Sequence, residues 1–495
     1  MKRFIKIFVL VVVIIILVMA GAIGYGLYTF KHFPTMDMAA ERVEADAEEM
    51  TGHIRQIVSF GPRNPGTEGE ARTRAYIMQK FQEYGLKTEG QDPLEVKVYN
   101  PRSWSLTLMD FENREKMEIP CFYMPFSAPT GNKGLTAPVV YVGTGKGLKD
   151  LDLRGKIAAY DFKFKPKGLK TYSRILFFHD PDHTLDSSAR VLRPALEFEY
   201  TMYEKLKAKG AVGMIGLLSG LQWDSDQYYP QMSFGLDKDL PGVWVRPSLC
   251  GTIREWAVKK HVKATMRLDS SETAGTSAIV YGLIPGKIDE YYLVFSQHDT
   301  YFDGAVQDAS GVAVILALAR HFTSTDKPLR RGIAFMTLPH TNGRAGEKAF
   351  ILKHRNGFLR KTALIVAVEH IGRELDPRPD LRFRVSDRPS FRMFFTSMNR
   401  NINGMVKSAV LKQDYRRSTI IPQWLVTKIT GRARGITGEF YEADLPVIGL
   451  MSSPPYMFFP QDTPDAVATD QLVPTANLMA SIIRTADTLS FDDLR

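Results

Sequence analysis

Residues 291–322 read YYLVFSQHDTYFDGAVQDASGVAVILALARHF. The first six are a continuous apolar run, as expected of a strand buried on both faces of a parallel sheet. Residues 310–322 are apolar nearly all round, the mark of a buried helix. Between strand and helix lies a polar loop carrying His298, Asp299 and Asp308. Further along the chain, 332–338 (GIAFMTL), 363–368 (ALIVAV) and 446–451 (PVIGLM) repeat the buried-strand pattern. Strands alternating with helices predict a doubly wound, mostly parallel α/β sheet. Ligands of such sheets sit at the carboxyl ends of the strands.

Those ends carry the chemistry. His298 and Asp308 follow the first strand, His340 the second, and Glu369 and His370 close the third. Three of the ten histidines of the chain fall at these ends. Histidine with carboxylate at converging strand ends suits a metal site or an acid–base site. Asp308 alone also suits a helix N-cap, worth ~1 kcal/mol. The cluster around His179 and His183 is interrupted by Pro181 and reads as a polar loop. With no G-x-S-x-G elbow and no Walker loop, the pattern argues against serine hydrolases and P-loop NTPases.

The 495 residues leave room for roughly three domains. Apolar residues are 44% and charged residues 24%, ordinary globular values. The net charge of +10 is spread without a dominant basic block, so nucleic acid is not an expected partner. Two cysteines, Cys121 and Cys250, exclude a disulfide scaffold. Residues 7–30 carry no charge and follow Lys2, Arg3 and Lys6. This predicts a single transmembrane helix with a cytoplasmic N-terminus and an extracytoplasmic remainder. A signal peptide cleaved near Ala20-Gly21-Ala22 is the alternative. Residues 41–60 read as a helix, and Thr67 with Glu70 as the capping box of the next one. Short strands at 137–142, 155–159, 213–218 and 243–245 mark a separate unit in the middle of the chain.

Four stretches carry a family resemblance: Phe60-Gly61-Pro62-Arg63 with Gly66-Thr67-Glu68-Gly69; His298-Asp299-Thr300 with Gly304-Ala305 and Asp308-Ala309-Ser310-Gly311; Phe440-Tyr441-Glu442-Ala443 before Pro446; and Asp462-Thr463-Pro464-Asp465. Together they resemble the zinc aminopeptidase and glutamate carboxypeptidase family, metallopeptidase family 28, which also holds the transferrin receptor and nicastrin. Residues 137–256 resemble its inserted protease-associated domain. With the tail at 1–6 and the anchor at 7–30 read from the charge pattern, the resemblance implies a peptidase-like core at 31–105 and 273–495 and an α+β protease-associated insert at 106–272. It also implies two zinc ions sharing an aspartate and a water, with a glutamate as base.

Asp308 matches the bridging aspartate, Glu369 a ligand aspartate and Asp299 an outer-sphere aspartate. His340-Thr341 stand where the family has two glutamates, Phe458 where it has a ligand histidine, and Gln297 at the first ligand position. The expected site is therefore a variant one with a single zinc. Its metal candidates are His298, Asp308, His340, Glu369 and His370, and its catalytic candidates His340 and Asp299. The function implied is an exopeptidase acting on peptides. The alternative is an inactive relative whose ectodomain binds a protein partner.

Overall fold

The expected buried strands form the centre of one long mixed sheet. The structure, a computed structural model, describes residues 30–87, 91–162, 164–168, 175–185, 190–194, 196–230, 238–259 and 261–495. An extended strap leads into helices α1 (Ala47–Val58) and α2 (Glu68–Glu83) and the long strand β1 (Gln91–Asp110). The insert adds β2 (Leu135–Gly143), β3 (Ile157–Asp161), β4 (Gly213–Leu217) and β5 (Gly242–Val245). The chain returns through β6 (Val262–Ile284). The rest of the core is β7 (Ile288–Gln297), α3 (Ser310–Ser324), β8 (Arg331–Leu338), α4 (Ala345–His354), β9 (Thr362–Glu369), β10 (Arg392–Thr396), β11 (Ser418–Pro422), β12 (Val447–Ser452) and α5 (Leu472–Ala486).

Strands β8, β7, β9 and β12 lie side by side in that order and parallel. Every residue of β8 and β9 is buried, which explains their unbroken apolar sequences. Helix α3 packs on one face of this sheet, against α1 and α5. Connections from β7 run first to β8 and then back across to β9, so the winding reverses beside β7. That reversal is where doubly wound folds bind ligands.

The insert builds its own parallel strands, ordered β5-β4-β3-β2. Strand β6 joins the two halves. It pairs antiparallel with β2 through Lys263–Met266 and with β8 through Val280–Ile284. Strand β1 pairs with β6 from Gln91↔Val280 to Asp110↔Val262. Positions 105/106 and 272/273, the expected domain boundaries, lie inside this ribbon.

Two expectations about the N-terminus are corrected. The single N-terminal transmembrane helix, and the single-pass placement drawn from it, find no support. Among the described residues no helix is long and apolar enough to cross a membrane. The longest, α2, has 16 residues; at ~1.5 Å per residue a helix of that length falls short of a ~30 Å hydrocarbon core. Residues 1–29, with the tail and nearly all of the expected anchor, lie outside the described residues. The first expected helix also starts later, at Ala47, because Asp46 caps Glu49 N at 2.6 Å. Glu41 instead pairs with Arg484 and His321.

Trp244 anchors the core of the insert. Its ring packs edge-on against Tyr228 and Phe162, with centroids 5.2 and 5.4 Å away. Across the ladder it faces Gly216, where a Cβ would lie 2.2 Å from the ring. Gly216→Ala is therefore expected to lower stability by about 1–3 kcal/mol through overpacking, read as a reduced urea midpoint. An unchanged midpoint would contradict this packing.

Candidate active site

The site is assembled from loops at the carboxyl ends of β7, β8 and β9. Arg63 fixes the first of them. Its guanidinium is fully buried and donates to the backbone oxygens of His298 (3.1 Å), Asp303 (2.7 Å) and Gly304 (2.8 Å). Asp462 holds the same loop from the other side, accepting from Val306 N at 2.6 Å and Gln307 N at 3.0 Å. Burial pushes the Asp462 carboxyl up to about 7 against those bonds.

His298 does not face the site as a free ligand. Its Nε2 lies 3.0 Å from Glu70 Oε1 and its Nδ1 3.0 Å from Thr337 Oγ1. Both of its ring nitrogens are engaged inside the protein, and its partner is Glu70. Glu70 also accepts from Ser277 Oγ and Arg74 Nε. Burial would raise its carboxyl, but these partners hold it below the ordinary value. The expected capping box is absent for the same reason: Thr67 makes no side-chain cap bond, and Glu70 turns to His298.

Asp299 ties two loops together. Its carboxylate accepts from His340 N and Thr341 N, each at 2.8 Å, and from the Thr341 hydroxyl. Thr341 is thereby spent. Asp299 is fully buried, and its carboxyl is raised by that burial despite the bonds.

The remaining candidates come together. Asp308 follows a cis peptide bond after Gln307. It accepts from Ser296 Oγ (2.6 Å), Gly311 N (3.1 Å) and His370 N (2.9 Å). Burial raises its carboxyl well above the ordinary range, and the charge of Glu369 adds to the shift. Glu369 accepts from Ile436 N at 3.0 Å through Oε2, and burial pushes it up to about 7. His370 donates from Nδ1 to the Ser452 carbonyl at 2.9 Å, which leaves the lone pair on Nε2. That Nε2 has no hydrogen-bond partner and lies 4.0 Å from Glu369 Oε1. Burial pushes His370 down to about 4.

Glu347, which sequence reasoning does not single out, completes the cluster. It is fully buried at the start of α4 and bonds His340 Nδ1 through Oε1, leaving Oε2 without a partner. Burial works against a charged His340, but the carboxylates of Glu347 and Glu369 raise its pKa overall. A seven-residue spacing across a loop into a helix is not a sequence signal for such a pair.

Zinc takes three or four ligand atoms at ~2 Å. Among the described residues no three His, Cys, Asp or Glu side chains are placed to hold a metal ion. Thr341 and His298 are bonded elsewhere, and Phe458 is a buried ring 6.5 Å from that of Tyr228. As placed, these residues do not fit the family's zinc pair. They make a buried acid–base cluster of His340, Glu347, Glu369 and His370 with Asp308 beside it.

Residues 279–407 match the model of Peptidase family M28. The segment runs from the end of β6 past β10 and holds Asp308, His340, Glu347, Glu369 and His370. No curated protein sequence matches the chain. Solved structures share the fold. BSAP, a zinc aminopeptidase from Bacillus subtilis, aligns at TM-score 0.63 and 17% identity over 92% of this chain and 100% of that one. A peptidase M28 precursor from Shewanella amazonensis aligns at 0.66 and 17%, over 89% and 96%. The aminopeptidase of an Aneurinibacillus strain gives 0.57 and 19%, over 89% and 94%. The resemblance to the zinc aminopeptidase family is borne out by the segment match and the shared fold.

The dyad leads to a direct expectation. Glu347→Gln removes the charge that raises His340, so the His340 pKa should fall. Titrating the His340 ring protons by NMR in parent and variant checks this. An unmoved or raised value would break the pairing.

Proposed function

We propose that this chain is an aminopeptidase-type hydrolase of peptides, with its chemistry in the His340–Glu347–Glu369 cluster. One observation carries the reading: an imidazole backed by a buried carboxylate and a second buried carboxyl lie at the carboxyl ends of the two strands that flank β7. Hydrogen bonding to Glu347 fixes the His340 tautomer, so Nε2 can take a proton from a water attacking the scissile carbonyl. The new C–O bond forms as that O–H bond breaks. Glu369, whose carboxyl burial pushes up to about 7, can return a proton to the departing amine as the C–N bond breaks. Asp299 and Arg63 keep the loops in register, and no step runs through zinc.

A second reading, an inactive relative that binds a protein or peptide, is favoured by burial. His340 and His370 are each 3% exposed, and Glu369 2%.

The test is digestion of a short-peptide library by the purified chain, read by mass spectrometry, with chelator and with added zinc. Release of N-terminal residues is expected, reduced roughly 10²-fold or more in His340→Ala. No cleavage under any condition would favour the binding reading. Cleavage abolished by chelator and restored by zinc would show that the cluster rearranges around metal, and would overturn the roles of His340 as base and Glu369 as acid.

A further inference from the structure

We propose that the cavity between His370 and Arg392 is the binding site of one water molecule, which accepts a hydrogen bond from Arg392 Nε and donates one to His370 Nε2. The site stands whether or not the chain cleaves peptides. Its bearing on catalysis rests on the function proposed above.

The sheet brings the two residues to the same place. Strand β12 lies between β9 and β10. Arg392 opens β10 opposite Ser452, the last residue of β12, and His370 directly follows β9. The cavity at this end has a volume of ≈ 10 Å³, about one water. Its polar side chains are those of His370, Arg392, Tyr415, Ser452 and Gln471. Most of their atoms are spent. Ser452 Oγ donates to the His370 carbonyl, and His370 Nδ1 donates to the Ser452 carbonyl. The Tyr415 hydroxyl shares a hydrogen bond with Thr475 Oγ1 at 2.7 Å. Gln471 accepts from Arg392 Nη1 at 2.6 Å and donates to Asp470 Oδ2 at 2.8 Å. Arg392 Nη2 donates to the Arg416 carbonyl. Two buried side-chain atoms of the lining have no hydrogen-bond partner in the protein, Arg392 Nε and His370 Nε2. The first is a donor. The second is an acceptor, because the ring proton sits on Nδ1. Glu369 Oε1, 4.0 Å from that Nε2, is too far to bond it.

This pair of atoms selects water over an ion. Arg392 is 5% exposed, and among the described residues it pairs with no carboxylate; its guanidinium lies 3.6 Å from the centre of the Tyr415 ring. An anion would suit the guanidinium but meet the His370 lone pair, and a cation would meet the guanidinium. Water offers a lone pair to one and a hydrogen to the other. With the water in place both His370 nitrogens are engaged. His370 then serves as a fixed neutral ring beside Glu369, a positioning residue, and the base of the proposed reaction is His340.

A crystal structure of the full-length chain tests the site. One peak is expected in the cavity, ~2.7–3.2 Å from both Arg392 Nε and His370 Nε2. An empty cavity, a peak touching only one of the two atoms, or a metal ion ~2 Å from His370 Nε2 would each overturn it. Crystals soaked in bromide separate water from halide, and an anomalous peak at this position would overturn it too. In solution, nitrogen NMR of histidine-labelled chain reads the bond at His370 Nε2, assigned by its loss in His370→Gln. In Arg392→Met this resonance should move toward that of an unbonded nitrogen. No movement in a folded Arg392→Met would break the bridge; should the variant not fold, the parent crystal decides alone. A chain that cleaves no peptide still passes or fails this test, so the two proposals fail separately.

Discussion

The site depends on one buried guanidinium. Arg63 contacts no carboxylate. It spends its donors on three backbone oxygens of the loop that follows β7. Burial pushes it down to about 10, while Asp462, Asp299, Asp303 and Asp308 around it favour the charged form. Asp462 takes the amides of the same loop that Arg63 holds by its carbonyls. The loop is therefore clamped between a buried cation and a buried anion. Removing either would leave the other uncompensated in a medium where that costs several kcal/mol. This constraint places Asp299 and Asp308 before any question of chemistry arises.

The parallel strands were legible in the sequence because burial on both faces leaves uninterrupted apolar runs. The expected strands at 291–296, 332–338, 363–368 and 446–451 match β7, β8, β9 and β12 to within a few residues. The β1–β6 ribbon was not legible. Its exposed positions, its Pro93 and Pro101, and the register shift at Pro101/Ser103 leave it no clean period. Asp308, His340, Glu369 and His370 were found because strand ends are where such folds put ligands. Glu70 and Glu347 were not, because each meets its histidine through tertiary contact, across 228 and 7 residues.

Those two glutamates change what the ligand-type residues can do. The sequence presents His298 and His340 as open imidazoles, but a buried imidazole with a buried acid within reach becomes a pair. His298 with Glu70 is closed at both nitrogens, and Thr341 with Asp299 is closed too. His340 with Glu347 is closed at Nδ1 only, and His370 is held by the Ser452 carbonyl at Nδ1 only. The cluster atoms left without a protein hydrogen bond include the Nε2 of His370 and Oε2 of Glu347. The difference between a histidine closed at both nitrogens and one with a nitrogen to spare is here one hydrogen bond.

The way the insert is attached limits how the site can open. Strand β6 is laddered to β2 of the insert at one end and to β8 at the other. It also pairs with β1 along most of its length. Strand β8 leads directly into His340. Swinging the insert as a rigid body would break ladder bonds next to the loop that carries His340. The ribbon thus keeps the two halves in register beside the site loops.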